Sequence, residues 1–248
     1  MINFRYHVVS IIGIFIALAV GVVLGAGPLQ RTINAGVNPS SSQVSSDPQL
    51  VAQADAEAAG LKALAASTLS GSLTGSQIAL VVMPGASDDD VAAIRSTLTD
   101  AGASIVGRVT LSENWQSTSM SQYRTTLSTT LASHLESGAA KTASADGVVG
   151  YSIVQVLTST GSETDLLRQI LTDKSTPLMT IDEDPAGTAT TLVAVGPRAQ
   201  TGVTDTSVSP SPDAWSGLAL AVGSTSGVLV GDASSRDAMI SKVRSSAT

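Results

Sequence analysis

The stretch QIALVVMPGASDDDVAAIRSTLTDAGASIVGRVTL, residues 77–111, decides the fold. Ile78-Ala-Leu-Val-Val-Met83 is a short, uninterrupted apolar run closed by Pro84-Gly85, the form of a strand buried on both faces. Ser87 or Asp88 then caps a helix through about Ala101, with Val91, Ile94, Leu98 and Ala101 on one face and Gly102 as the stop. Ser104 to Leu111 reads as a second strand. Together they make a βαβ unit of about thirty-five residues, which implies a parallel pair joined by a right-handed crossover.

Downstream the alternation continues. Met120, Tyr123, Leu127, Leu131 and Leu135 mark one helix, and Thr164 to Asp173 another. Val148 to Leu157 is an apolar stretch whose length favours a helix, although its period alone does not decide. Pro177–Ile181, Thr191–Val195 and Gly227–Val230 look like three more short buried strands, with helices over Trp215–Val222 and Ser235–Val243. Strands alternating with helices predict a three-layer α/β sandwich around a mostly parallel sheet, spanning residues 76–248.

Upstream, Val8 to Gln30 carries no charge over 23 residues. About 20 apolar residues span the hydrocarbon core as a helix, so this run reads as a transmembrane helix. It is longer than the apolar part of a cleavable signal peptide, and its small-residue exit, Gly25-Ala-Gly27, is followed by Pro28; an uncleaved anchor is expected. Gly21 and Gly25 form a GxxxG face on which two such helices pack closely. Arg5 and the terminal amine precede the helix, and Arg31 alone follows it closely. That balance puts the tail, residues 1–7, in the cytoplasm and the bulk of the chain outside it, in the cell envelope. Residues 31–47 are a Gly/Pro/Ser-rich linker. Asp47-Pro48 starts a helical stalk over 48–70, in which Val51, Ala54, Ala58, Leu61, Ala65 and Thr68 alternate three- and four-residue steps, the spacing of a coiled-coil seam. A homodimer through this seam and an amphipathic helix lying on its own domain both fit the pattern.

Composition narrows the chemistry. The 248 residues are 43% hydrophobic, 3% aromatic and 13% charged, with a formal charge of −7. The basic residues are scattered singly, so no nucleic-acid partner is expected. There is no cysteine, which excludes a disulfide framework, thiolate metal sites and a cysteine nucleophile. In a doubly wound sheet a ligand site belongs at the carboxyl ends of the strands, here the loops 84–87, 196–200 and 231–235. None carries a phosphate-binding motif. Asp88-Asp-Asp90 reads as helix capping, and Asp182-Glu-Asp-Pro185 as a solvated turn after a strand. Gly223-Ser-Thr-Ser-Gly227 has threonine where a hydrolase elbow needs its nucleophilic serine, and reads as a turn. His134 reads as a partly exposed helix residue, and Met83 and Met179 as core packing rather than copper ligands. No catalytic, cofactor or metal residue is expected, and one spanning helix does not enclose a pore.

Met1-Ile-Asn-Phe-Arg-Tyr-His-Val-Val-Ser10, with Ala17-Leu-Ala-Val-Gly21 and Leu24-Gly25, resembles the opening of an actinobacterial family labelled MctB or "copper transporter", which includes the corynebacterial cell-separation protein SteB. The resemblance implies a single-pass envelope protein of mycolic-acid-bearing bacteria. It carries two functional claims: an outer-membrane pore with copper efflux, or a partnership with cytoplasmic SteA that helps activate peptidoglycan hydrolases at cell separation. The residues favour the second, binding rather than catalysis, with peptidoglycan hydrolase regulators as further partners. Phe4, Arg5, Tyr6 and His7 are then the candidate contact for a SteA-like partner, or the interfacial anchor of the helix.

Overall fold

The computed structural model describes residues 48–198 and 209–246. The expected tail, membrane helix and linker over 1–47 lie outside the described residues. Helix α1 (Pro48–Leu69) starts where the Asp-Pro pair places it, and the seam positions Val51, Ala54, Ala58, Leu61 and Ala65 all fall within it. Internal contacts divide the chain into two compact units between Ala58 and Ala59, and the α/β domain belongs to the second. Among the described residues no helix is long and apolar enough to cross a membrane.

The domain is a mixed α/β fold on a five-stranded sheet: β1 (Gln77–Val82), β2 (Ser104–Leu111), β3 (Met179–Glu183), β4 (Thr191–Val195) and β5 (Val228–Val230), in the order β3-β2-β1-β4-β5. All neighbours are parallel except β3, which runs antiparallel to β2. Between the strands lie α2 (Asp88–Asp100), α3 (Glu113–Gln116), a 3₁₀ turn (Thr118–Met120), α4 (Ser121–His134), α5 (Gly138–Lys141), α6 (Ala145–Thr158), α7 (Ser162–Leu171) and α8 (Pro212–Gly223); α9 (Met239–Ser246) follows the last strand.

The period-2 pleat of β1 explains the layers. Ile78, Leu80 and Val82 pack with Val193 and Val195 under Val91, Ile94 and Leu98 of α2. Ala79, Val81 and Met83 face the opposite core, which holds Leu131 of α4, Ile153 of α6, Leu167 of α7 and Leu218 of α8. The two outer layers are unequal: among the described residues α2 packs on the first face, and the larger core is shared by several helices on the other. Helix α6 is buried from Gly147 to Gly150 and from Ser152 to Leu157, which is why Val148 to Leu157 is apolar without a helical period. It packs on α8 with little space between backbones: a Cβ on Gly150 would stand 2.6 Å from the Gly217 carbonyl oxygen, and one on Gly217 would stand 2.5 Å from that of Asp146.

Three expectations need correction. Of the three further strands expected to be buried, β4 is, but β3 and β5 are the outermost of the described strands: the β3 burial alternates, and Val228 and Val230 of β5 are 53% and 41% exposed. Second, β3 begins at Met179 and runs through Glu183, beyond the expected Ile181, so Asp182 and Glu183 belong to the strand, not to a turn after it. The acids are held by arginines from three elements: Asp182 by Arg108 of β2, Glu183 by Arg95 of α2, and Asp184 by Arg168 of α7. Third, the last helix begins at Met239 instead of Ser235. Asp232 organises the intervening loop, its carboxylate accepting from Ser234 N–H at 2.7 Å and its carbonyl from Ile240 N–H at 2.9 Å.

A bulge sets the return from β3 to β4. The β1–β2 register slips between Ile78 and Ala79, and the Val106 carbonyl accepts instead from Ala186 N–H at 3.0 Å. Gly107 has to be glycine there, since a Cβ would meet Pro185 Cα at 2.9 Å.

Candidate functional site

The β1–α2–β2 unit leads to one side of β1, and the chain returns on the other side as β4. The resulting switch point opens at the carboxyl ends of the strands, where α/β sheets hold ligands. A cleft of about 600 Å³ lies beside it, between the first turns of α2 and the ends of β4 and β5. Asp90, Ala93 and Ile94 come from α2; Val195, Gly196 and Arg198 from β4 and its loop; Val230, Gly231, Asp232, Ala233 and Ser234 from β5 and the loop after it. Two of the three loops that the sequence assigns to a site, 196–200 and 231–235, thus contribute, as far as they are described. The third, 84–87, does not line the cleft; a Cβ added to its Gly85, at φ +80°, would stand 3.4 Å from Pro197 Cβ.

The lining is mostly apolar, and its charged residues are Asp90, Arg198 and Asp232. Ser87 caps α2 by accepting from Asp90 N–H at 3.2 Å. Asp90 is 9% exposed, and its carboxylate takes both ends of the Arg198 fork: Nε donates at 2.6 Å and Nη2 pairs with the other oxygen. The Arg198 hydrogen bond holds the Asp90 carboxyl below the usual carboxylate range. Ser87 and the Arg198 charge act in the same direction, and desolvation opposes them. Asp90 in turn raises the Arg198 guanidinium. Because the folded value is depressed, the pair's stabilisation is complete above the free value of 3.8 and is lost as pH falls through the lower folded one. In a carboxyl-carbon NMR titration Asp90 is expected to show a midpoint below 3.8, returning toward it in Arg198→Ala. An unshifted Asp90 in the parent protein would mean that the fork does not form in solution.

The capping role assigned to Asp88-Asp-Asp90 is therefore incomplete, because Asp90 is also one half of an ion pair. Its partner lies 108 residues away, and no local pattern announces it. The remaining acidic lining residue, Asp232, bonds to the N–H of Ser234 and leaves the cleft with one net negative charge.

The other expected residues distribute as follows. Phe4, Arg5, Tyr6, His7, Gly21 and Gly25 lie outside the described residues. Val51, Ala54, Ala58, Leu61 and Ala65 belong to α1. His134 ends α4, with Nδ1 2.6 Å from Glu163 Oε2. Met83, Met179 and Met239 are buried at 3% exposure or less. Among the described residues no group of three or more His, Cys, Asp or Glu is placed to hold a metal ion.

One buried charge had no sequence signal. Arg124 of α4 is wholly enclosed; its Nε donates to Asp146 Oδ1 at 2.5 Å and its Nη1 to the Ser117 carbonyl at 2.7 Å. It ties α4 to the start of α6 and to the turn that holds α8 in place. There Gln116 accepts from Ser211 N–H at 2.6 Å and, through its side chain, from Trp215 Nε1 at 3.2 Å.

Comparison with known proteins adds a family. Residues 1–248 match the family model described as "Copper transport outer membrane protein, MctB". The chain is also 29% identical over 123 residues to proteins named "Copper transporter MctB" from Mycobacterium bovis and Mycobacterium tuberculosis. The match covers 46% of this chain and 39% of theirs, so it spans well under half the length of these relatives.

Proposed function

The chain belongs to the MctB family, described as that of a copper transport outer membrane protein, and from that premise we propose that it acts by binding rather than by catalysis. On this reading it is a single-pass protein with its N-terminus in the cytoplasm, forms a homodimer, and couples a SteA-like cytoplasmic partner to cell-wall remodelling at cell separation. Residues 4–7 contact the cytoplasmic partner. The α/β domain receives an envelope partner, a peptidoglycan hydrolase or its regulator.

What supports the reading is the cleft at the ends of β4 and β5. It is open, lined by Ala93, Ile94, Val195, Val230 and Ala233, and its Asp90 and Arg198 are engaged with each other. Clefts with apolar walls and a few fixed polar groups suit recognition of a ligand or side chain. Filling the cleft with Ala93→Trp, at an exposed position on α2, is expected to impair cell separation while the protein stays folded and in the membrane. Normal separation by that variant would remove the cleft from the mechanism. Phe4→Ala with Tyr6→Ala is expected to lose co-purification of the cytoplasmic partner, again with membrane localisation kept; unchanged co-purification would sink that contact.

The second reading, direct handling of copper, is favoured by the family's description. It is separable by titrating the full-length protein in detergent with Cu(I) and Cu(II). The binding reading expects no stoichiometric site of sub-micromolar affinity, and finding one would transfer the proposal to copper.

A further inference from the structure

The cleft at the ends of β4 and β5 keeps one charge unanswered. Gly196 N–H donates to the Val230 carbonyl at 2.7 Å and Asp232 N–H to the Pro197 carbonyl at 2.9 Å, so the chains leaving β4 and β5 run on side by side and bring Asp232 next to the segment that carries Arg198. Arg198 nonetheless directs its fork to Asp90 of α2. Among the described residues the Asp232 carboxylate accepts only from its own loop, Ser234 N–H to Oδ1 at 2.7 Å, and Oδ2 has no partner. No counter-ion comes from the neighbouring chain. Arg236 does not line the cleft, and residues 199–208, which continue from Arg198, contain no basic residue. Asp88 and Asp89, exposed on the same turn of α2 as Asp90, add negative charge nearby.

We propose that the cleft receives a lysine side chain of the envelope partner, its methylenes against the apolar lining and its ammonium on Asp232 Oδ2. The inference rests on the reading of the cleft as the partner's site and names the group recognised there. Three features select that group. The lining is negative, because the charges of Asp90 and Arg198 cancel and that of Asp232 does not, so a cation is favoured over a neutral or anionic side chain. Lysine lays its long aliphatic stem along apolar surface while its charged head stays with a polar partner, and Ile94, Val195 and Val230 provide that surface. With Oδ1 engaged by Ser234, the carboxylate offers one oxygen, which suits a compact ammonium; the planar fork of arginine pairs best with both oxygens at once.

The probe is Nα-acetyl-lysine methylamide, with its norleucine and arginine counterparts as controls, read by methyl NMR of the full-length protein in detergent. The lysine compound is expected to move the Ile94 and Val230 methyl signals saturably, with a midpoint several-fold lower than that of either control. Asp232→Asn removes the charge and keeps an acceptor for Ser234 N–H; with its fold checked by thermal melting, this variant should lose the preference for lysine. Equal midpoints for lysine and either control in the parent protein, or no movement of these methyls, would overturn the proposal. So would a preference that survives Asp232→Asn. The wider role of the cleft is read separately. Normal separation by Ala93→Trp cells would remove the reading on which the inference rests, whereas impaired separation beside a titration without lysine preference would remove the lysine alone.

Discussion

Replacing Arg124 by methionine is expected to destabilise the α/β domain by about 3 kcal/mol or more, the usual cost of removing one partner of a buried ion pair. Methionine fills much of the arginine's volume, so the loss is electrostatic rather than a cavity. It leaves the Asp146 carboxylate, 16% exposed, without its guanidinium and strips the donor from the Ser117 carbonyl. The damage should spread locally, because the turn that Arg124 steadies also holds Gln116 against Ser211 and Trp215. Chemical denaturation measures the loss directly. Adding Asp146→Asn should restore part of it, because the stranded charge is then gone, and a double variant as unstable as the sum of the singles would show that the pair itself is not coupled. A single variant within about 0.5 kcal/mol of the parent would contradict the burial of this pair, since that is the range of ordinary surface substitutions.

Gly217→Ala is expected to be strongly destabilising. Overpacking typically costs about 1–3 kcal/mol, and relief is cheap only when the neighbour is the end of a flexible side chain. Here the new Cβ would meet the carbonyl carbon and oxygen of Asp146, each at 2.5 Å, and the following amide nitrogen of Gly147 at 2.7 Å. All three atoms are backbone in the first turn of α6, so the helices must separate and disturb the Asp146–Arg124 pair as they do. Gly223→Ala, at the end of the same helix with nothing within 4 Å of its Cβ, is the internal control and should be neutral or slightly stabilising. Equal melting temperatures for the two variants would rule out the close α6–α8 packing.

The β1–α2–β2 unit was legible because its information is local. A continuous apolar run, a Ser-Asp cap and a glycine stop each act within a few residues, and the structure places β1, α2 and β2 where they predict. The ends of the sheet were less legible for a physical reason: a three- or five-residue apolar run looks the same whether its strand lies in the middle or at an edge. Val228 and Val230 read as core, and only the strand order shows them to be uncovered. Asp182 and Glu183 read as a turn because acids are rare in strands; Arg108 and Arg95, each more than seventy residues earlier, make them acceptable at this edge.

The candidate site divides in the same way. The rule that ligands sit at the carboxyl ends of the strands selected the loops at 84–87, 196–200 and 231–235; the last two contribute to the cleft as far as they are described, and the first does not line it. The Asp90–Arg198 fork and the enclosed Arg124 depend on chain segments brought together by the fold. No spacing encodes either of them. The aromatic and basic residues at 4–7, and the glycines at 21 and 25, rest on the sequence.

The proposal that this MctB-family protein couples binding partners at cell separation is tested by deleting its gene and scoring separation and copper tolerance in the same culture. Chained, unseparated cells with normal tolerance of copper are expected. Copper sensitivity in cells that separate normally would contradict it.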